Sequence, residues 1–397
     1  MFIRQQERLY PTSDQRQFLN QEIGNQRFLW NKLLVKSTER YEEEKKFIFY
    51  NEAASMLPDL KETFEFLKIG GSQALQQTLK DQDQALRNFL KSKKGDGHFE
   101  FPRFKKKDNG GSVRYPQGCS LESTHLKIPK LKTDIKIKNQ QKVGEFNSVT
   151  IIKKPSGKWF ASFVVEVPDV PKVEITSDSK VVGIDLNSKF LLVLDNGQAI
   201  ENQKFLKKKE KRLKKYQRRM SRMVPKSSNR NKQRIKVARL HEKIANSRKD
   251  FVEKITTQVV KTYDVICLED LNVKAMQKWN GRMVQEAPFR MIRDKITWKA
   301  NKFGKHLFFI DRFDPTSKVC SGCGSLLELT LKDRWVECDC GLSIHRDQNA
   351  AKNIRSLGLL RTVGTTGFQA CGDTEVHSDD SIIRWVSLKQ ETTRSLP

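Results

Sequence analysis

The sequence has no apolar run that approaches the length of a membrane span, and Met1 to Tyr10 is polar and charged. It also lacks a lipidation motif or an amphipathic anchor. A membrane-embedded chain is therefore excluded, and a soluble protein of the cytoplasm is expected. Acidic residues are scarce: 47 Asp and Glu stand against 75 Lys and Arg, a net charge of +28. That imbalance is self-repulsive unless a polyanion is present, which makes nucleic acid the first partner to consider. A disulfide framework is missing too. Of 7 cysteines, four are clustered and Cys119, Cys267 and Cys371 are scattered, a metal-binding pattern in a reducing compartment. Hydrophobic content is low at 37% but sufficient for packed cores, and 397 residues allow two or three domains.

Met1–Tyr10 reads as a short strand, and Thr12 opens a helix with Gln15 as its capping-box partner. Apolar residues at Phe18, Leu19, Ile23, Phe28, Leu29, Leu33 and Leu34 continue that helix. Further helical patterns cover Asn51–Leu57 and Ser72–Leu90, so residues 11–94 form a helical region. After Gly95-Asp96-Gly97 the pattern alternates: His125–Ile128, Ile135–Lys138, Ser148–Lys153 and Lys158–Val167 read as strands. The last two flank Pro155-Ser156-Gly157, a hairpin turn. These strands predict a small β-barrel over residues 95–174, to which residues 1–10 add a strand. Pro168–Ser179 reads as a linker.

Lys180–Leu186 is a buried-type strand that carries Asp185, and Phe190–Leu194 is a second strand. Residues 204–249 are dense in Lys and Arg and read as two long basic helices, broken at Val224-Pro225. Asp250–Tyr263 reads as a separate amphipathic helix. Asp264–Asp270 is another buried strand, ending in Glu269 and Asp270, and His306–Ile310 is a further one. Residues 365–397 turn to Gly, Ser and Thr and are expected to be a poorly ordered tail.

Two chemical patterns stand out. Cys320-x-x-Cys323 and Cys338-x-Cys340 have the spacing of a zinc ribbon, with four thiolates and no open position; the alternative leaves one thiol of the tight second pair free. Such a clip would be structural and would hold the segment that delivers Asp347, which starts a helix-like run. Asp185, Glu269 and Asp347 each stand at the end of an apolar element. Each alone reads as a loop or cap residue. Together they would repel one another unless divalent cations joined them, and hard oxygen ligands suit Mg²⁺ or Mn²⁺. Two such ions would activate water and stabilise the leaving oxygen in phosphodiester hydrolysis.

Gly183-Ile184-Asp185-Leu186, Leu268-Glu269-Asp270-Leu271-Asn272-Val273, Cys320-Ser321-Gly322-Cys323-Gly324 and Arg346-Asp347-Gln348-Asn349-Ala350-Ala351 occur in the order seen in the TnpB family. Arg8-Leu9-Tyr10-Pro11, Ala74-Leu75-Gln76, Phe101-Pro102-Arg103-Phe104-Lys105 and Leu240-His241-Glu242-Lys243-Ile244-Ala245-Asn246 extend the resemblance over nearly the whole chain. These are transposon-encoded RNA-guided nucleases related to the type V CRISPR effectors. The resemblance implies a multidomain α/β protein. It would have a ribonuclease-H-like (RuvC) nuclease core over 175–316 and 344–364, and a zinc-ribbon insertion over 317–343. A wedge β-barrel (1–10 and 95–174) and a helical recognition domain (11–94) complete it.

It further implies that Asp185, Glu269 and Asp347 are the catalytic triad. One such site would cut both strands of double-stranded DNA chosen by a guide RNA, derived from the transposon end, beside a short flanking motif. The protein would be a monomer with one RNA, associated with the nucleoid when bound to DNA. Two features depart from the family pattern: the second cysteine pair is C-x-C, and His345 stands where many relatives carry Asp. His345 is therefore a candidate contact to metal or phosphate. A guide-dependent repressor without cleavage is the alternative function, and it would require one of the three acids to be replaced.

For nucleic-acid contacts, the resemblance points to Tyr50, Gln73, Gln76 and Gln117 at the flanking motif, where Gln suits adenine edges. Lys208, Arg212, Arg218 and Arg219 on the basic hairpin, with Arg103 and Lys105, are candidates for phosphates; the alternative for the hairpin is a solvated face. Phe101, Phe104 and Tyr115 would either stack on nucleotides or fill a barrel core.

Overall fold

Thr12 is followed by the longest helix of the N-terminal region because both halves of its capping box form. Thr12 Oγ1 accepts the Gln15 N–H at 3.4 Å, and Gln15 Oε1 accepts the Thr12 N–H at 3.0 Å. The computed structural model describes residues 1–93, 99–107, 110–138, 142–187, 189–271, 287–330 and 332–366, with 361–366 by backbone alone. The expected tail from 367 on, Cys371, the Gly95–Gly97 boundary and Asn272-Val273 lie outside the described residues. The chain divides into two units, Met1–Pro168 with Arg222–Arg239, and Asp169–Ser221 with the residues from Leu240 on.

In the first unit, β1 (Phe2–Leu9) leads into α1 (Ser13–Glu44). Leu29 and Leu33 of α1 pack against α2 (Tyr50–Ser55), α3 (Leu57–Thr63), α4 (Phe66–Ile69) and α5 (Ser72–Lys93), burying Leu57, Leu60, Leu67, Leu75 and Leu79. The single helix expected over Asn51–Leu57 is two. Pro58 has no N–H to give and is accommodated in the first turn of a helix, so the chain stops at Ser55 and restarts at Leu57.

The strands β2 (Gly111–Tyr115), β3 (Ser120–Glu122), β4 (His125–Lys127), β5 (Ile135–Lys138), β6 (Phe146–Lys153) and β7 (Trp159–Glu166) join β1 in one antiparallel sheet. Its order is β2-β6-β7-β1-β5-β4-β3. β1 lies inside this sheet, pairing with β7 along its full length and with β5 at Arg8 and Leu9. The helices are therefore inserted between its first and second strands. Alternate residues Val113, Tyr115, Val149, Ile151, Trp159, Ala161 and Phe163 form its core. Tyr115 is 2% exposed, so of its two sequence readings the structure selects core packing.

In the second unit, β8 (Val181–Asp185), β9 (Phe190–Leu194) and β10 (Ala199–Glu201) form an antiparallel meander. α6 (Phe205–Ser221) and α7 (Ser228–Thr262) follow, and the chain returns as β11 (Val265–Glu269) parallel to β8. α8 (Phe289–Lys302) leads to β12 (His306–Ile310), parallel to β11. The sheet order is β10-β9-β8-β11-β12. Separate basic and amphipathic helices were expected over 226–263, but α7 is one helix: no Gly or Pro interrupts Ser228–Thr262, so nothing ends it.

Val252, Ile255, Val259, Ile292 and Ile296 cover one face of this sheet. The small hairpin β13 (Trp335–Glu337) and β14 (Ser343–His345) runs into α9 (Arg346–Thr366), which covers the other face. The approach is close enough to demand glycine on both sides. A Cβ on Gly183 would stand 2.0 Å from the Ala351 carbonyl oxygen, and one on Gly358 would stand 2.1 Å from Cys267 Sγ. The helix is thus held at a fixed height over β8 and β11.

Candidate active site

β8 and β11 run parallel with Ile184 opposite Leu268, so Asp185 and Glu269 follow side by side at the C-terminal ends of adjacent strands. In open α/β sheets this edge is where ligands bind. Asp347 enters from the first turn of α9. The acids sense one another. Burial, and then the Asp347 charge, push Asp185 up to about 6, against the Asn187 amide that donates to its Oδ2 at 3.1 Å. Burial, and then the Asp185 charge, push Glu269 up to about 7; Thr316 opposes by a hydrogen bond and Asp314 adds to the rise. Asn187 is itself fixed, because its Oδ1 accepts the N–H groups of Lys189 and Phe190 at 3.1 and 2.8 Å.

Burial and a neighbouring carboxylate both disfavour the charge on Asp185 and on Glu269, which a hard divalent cation would relieve, and with Asp347 beside them these oxygen donors are of the kind that suits Mg²⁺ or Mn²⁺. Asp270, the neighbouring acid, is not part of this set. It is held ionised by hydrogen bonds from Arg312 and Arg293, with Arg312 Nη2 at 2.6 Å. His345 Nδ1 accepts the Asp347 N–H at 3.2 Å and lies 3.7 Å from the Asp347 carboxylate. The ring lies edge-on to Phe190 and Trp335, with centroids 6.1 and 6.2 Å away.

The four cysteines converge. Cys320 and Cys340 Sγ are 3.6 Å apart, Cys323 and Cys338 Sγ are 3.5 Å apart, and all four sulfurs lie within 4.8 Å of one another. A ZnS₄ tetrahedron with bonds of about 2.3 Å has edges of about 3.8 Å, so the set fits zinc. No thiol is left over, although one pair is C-x-C. Gly324 (φ +76°) and Gly341 (φ +87°) supply the left-handed turns that close the two loops. Among the described residues this is the one group of such ligands; the carboxylates do not form another.

The sequence reading missed the residues that join this clip to the acids. Asn349 and Asn353, one turn apart on α9, are 0% and 3% exposed. Asn349 Oδ1 accepts the Ser321 N–H at 2.8 Å and its Nδ2 donates to the Val319 carbonyl at 2.7 Å. Asn353 Nδ2 donates to the carbonyls of Val319 and Thr316, both at 2.7 Å. Thr316 in turn bonds Glu269. Helix α9 therefore carries Asp347 in its first turn and grips the first cysteine loop with Asn349 and Asn353, two and six residues farther on. The sequence shows only two Asn at i and i+4 after an acid, and nothing local marks them as buried. Asn353→Ala would strand the buried Thr316 carbonyl, while the Val319 carbonyl keeps its bond from Asn349, and a loss of roughly 1–3 kcal/mol is expected in denaturant unfolding. A loss below about 0.5 kcal/mol, the scale of a neutral surface change, would show that the grip carries no weight.

The expected nucleic-acid contacts fall in several places. Gln73 and Gln76 are exposed on α5, and Lys80 of the same helix lies over the Tyr50 ring at 5.2 Å, which joins Tyr50 to that face. Gln117 is exposed in the turn after β2. Arg103 pairs with Glu100, and Lys105 Nζ stacks 3.7 Å over the Trp30 ring. Phe104 is exposed, whereas Phe101 packs on Phe89. On α6, Lys208, Arg212, Arg218 and Arg219 are all exposed, Leu213 is the buried residue, and Arg212 bonds Tyr216.

Three sequence families match. One described as a probable transposase, OrfB_IS605, covers 162–280; the Cas12f1-like TNB domain covers 289–354; a helix-turn-helix domain covers 2–46. The structure gives 2–46 a different form, a strand and one unbroken helix. A protein of Streptomyces pristinaespiralis, provisionally named an RNA-guided DNA endonuclease, is 32% identical over 98% of this chain and 96% of its own length. InsQ of Escherichia coli (strain K12), with the same provisional name, is 34% identical over 72% of this chain and 70% of its own. The fold resembles that in a Cas12f1–sgRNA–target DNA complex, with a TM-score of 0.55, 16% identity, and 87% and 83% of the two chains covered. A relative of this identity over nearly the full length defines the class, and the chain belongs to the TnpB (OrfB_IS605) family.

Proposed function

We propose that this protein is an RNA-guided DNA endonuclease of a mobile element, with Asp185, Glu269 and Asp347 as its one catalytic site. The observation that supports this most directly is that β8, β11 and α9, far apart in sequence, bring three carboxylates to one sheet edge, where the Asp347 charge bears on Asp185 and the Asp185 charge on Glu269. The strand order, an antiparallel meander followed by two parallel strands, supports reading this unit as a ribonuclease-H-like (RuvC) core. On this reading residues 175–316 and 344–364 are the nuclease domain, and 317–343 the zinc ribbon. Residues 1–10 with 95–174 are the wedge, and 11–94 the recognition domain.

The three acids would hold Mg²⁺ or Mn²⁺, which when bound supplies an activated water and charge stabilisation for phosphodiester hydrolysis. The chain's own part is placement. Asn187 orients the Asp185 carboxylate, Thr316 orients Glu269, and the asparagine grip sets the start of α9 and so the position of Asp347. Guide RNA pairing with the target strand selects the DNA, and the protein, as a cytoplasmic monomer with one RNA, reads a short flanking motif with Tyr50, Gln73 and Gln76.

The test begins with RNA that co-purifies with the protein. Sequenced and returned with Mg²⁺, it is expected to direct cutting of DNA that carries its complement and of no other DNA. Cutting without RNA, or none with it, would overturn the reading. Neutralising Lys207, Lys208, Lys211, Arg212, Arg218 and Arg219 on α6 should weaken RNA binding. Each lost phosphate contact should lower the salt slope by about 0.7–0.9. An unchanged affinity and slope would make α6 a solvated face.

A further inference from the structure

Helix α1 contains a glycine, Gly24, that its packing does not require. A Cβ there would meet nothing nearer than Arg27 Nη2 at 3.9 Å, and after proline glycine is the poorest helix former. This differs from Gly183 and Gly358, where a Cβ would collide with the neighbouring element. Gly24 instead lines an open cavity of about 510 Å³ together with Ser13, Arg16, Gln17, Asn20, Gln21, Arg27 and Lys107. No carboxylate is among these residues. Glu22, the buried acid on α1, is turned elsewhere and accepts the Gly71 N–H at 2.9 Å.

Positive charge is concentrated around the cavity. Lys153 Nζ donates to Asn20 Oδ1 at 2.5 Å, and its ammonium is disfavoured by burial and by the nearby charges of Arg234, Lys107 and Arg27. Arg16 Nε donates to the Pro11 carbonyl at 2.9 Å, which holds its guanidinium in place. Lys107 arrives because the segment before it is pinned to α1. Asn31 Oδ1 accepts the Lys105 N–H at 2.8 Å, Asn31 Nδ2 donates to the Lys105 carbonyl at 3.1 Å, and Trp30 Nε1 donates to the Arg103 carbonyl at 3.1 Å. Like charges held together in this way want an anion, and three amides and a hydroxyl beside them can both donate and accept.

We infer that this cavity binds one unstacked nucleotide of RNA. Arg16, Arg27 and Lys107 meet its phosphate, Gln17 and Asn20 meet its base or sugar edge, and Gly24 leaves the room. RNA is read mostly where bases are splayed out of a helix, and its 2′-hydroxyl, a donor and acceptor, matches the Ser13 and amide lining. The inference rests on the RNA-guided reading above.

The test uses the full chain and its co-purifying RNA, with three variants and the wild type. Gly24→Leu fills the cavity without changing charge. It should raise the melting temperature, since Leu favours a helix, while weakening RNA binding about tenfold or more. Gly24→Ala should do both to a smaller degree. Arg16→Gln with Arg27→Gln should lower the salt slope by about one single-strand phosphate contact, ~0.7. Wild-type affinity in Gly24→Leu would overturn the pocket alone, provided the α6 neutralisation weakens RNA binding as stated. A wild type that binds no RNA would overturn both readings. A loss confined to single-stranded DNA of the same sequence, with RNA binding unchanged, would overturn the assignment to RNA.

Discussion

Asp347→Ala is expected to abolish cleavage of both DNA strands, by on the order of a thousandfold or more, or about 4 kcal/mol of transition-state stabilisation. Guided DNA binding should remain nearly intact. Asp347 stands beside Asp185 and raises its pKa by repulsion, so its removal relieves strain rather than adding it. The start of α9 keeps its backbone contact in this variant, because the Asp347 N–H bonds His345 Nδ1, while the carboxylate lies farther from the same nitrogen, at 3.7 Å. The variant should therefore still fold. Among the described residues no second acidic edge is available to cut the other strand. End labels on each strand, read beside a binding assay with the same RNA and Mg²⁺, measure both quantities. Nicking of one strand would contradict a single site, and loss of binding equal to loss of cutting would give Asp347 a structural role.

Cys320→Ser and Cys340→Ser are each expected to lose zinc from a parent that carries about one ion per chain. The consequence should reach the nuclease edge. Val319 and Ser321, flanking Cys320, are the groups that Asn349 and Asn353 grip, and Thr316 continues the contact to Glu269. Structural zinc in small modules is worth about 10–16 kcal/mol of folding free energy, so its loss should release this loop. Cutting should then fall although none of the three acids has been touched. Cys119→Ser is the control: Cys119 lies in the first unit and packs near the sheet core, so zinc content should not change. Metal analysis decides the first point, since full zinc in both variants would refute the four-thiolate site. Cleavage of labelled DNA decides the second, and undiminished cutting by zinc-free protein would remove the clip from the nuclease's support.

The basis on which each feature could be read differs. The helix at Thr12, the strands through Asp185 and Glu269, and the paired cysteines follow from short-range chemistry: a cap three residues away, apolar runs, thiols two or three positions apart. Short polar strands such as β2 and β3 carried no such signal, because they are stabilised by the neighbours they pair with. The expected break between a basic and an amphipathic helix failed for a related reason. The change in composition near Asp250 marks a change in what α7 packs against, and backbone hydrogen bonding is indifferent to it.

What the sequence alone determined, then, is inventory: a surplus of cations that calls for a polyanion, four thiolates that call for zinc, and three acids at the ends of apolar elements. Placement was decided only by the tertiary structure. Asp185 and Glu269 stand abreast because β8 and β11 pair in parallel at one register, over a separation that no local rule spans. Asp347 joins them because Gly183 and Gly358 let α9 lie against the sheet. Asn349, Asn353 and Gly24 look ordinary in sequence, since an amide has no role until a buried carbonyl faces it and a glycine none until a cavity does. Those relations are between surfaces brought together by folding, and they are fixed by packing rather than by neighbours along the chain.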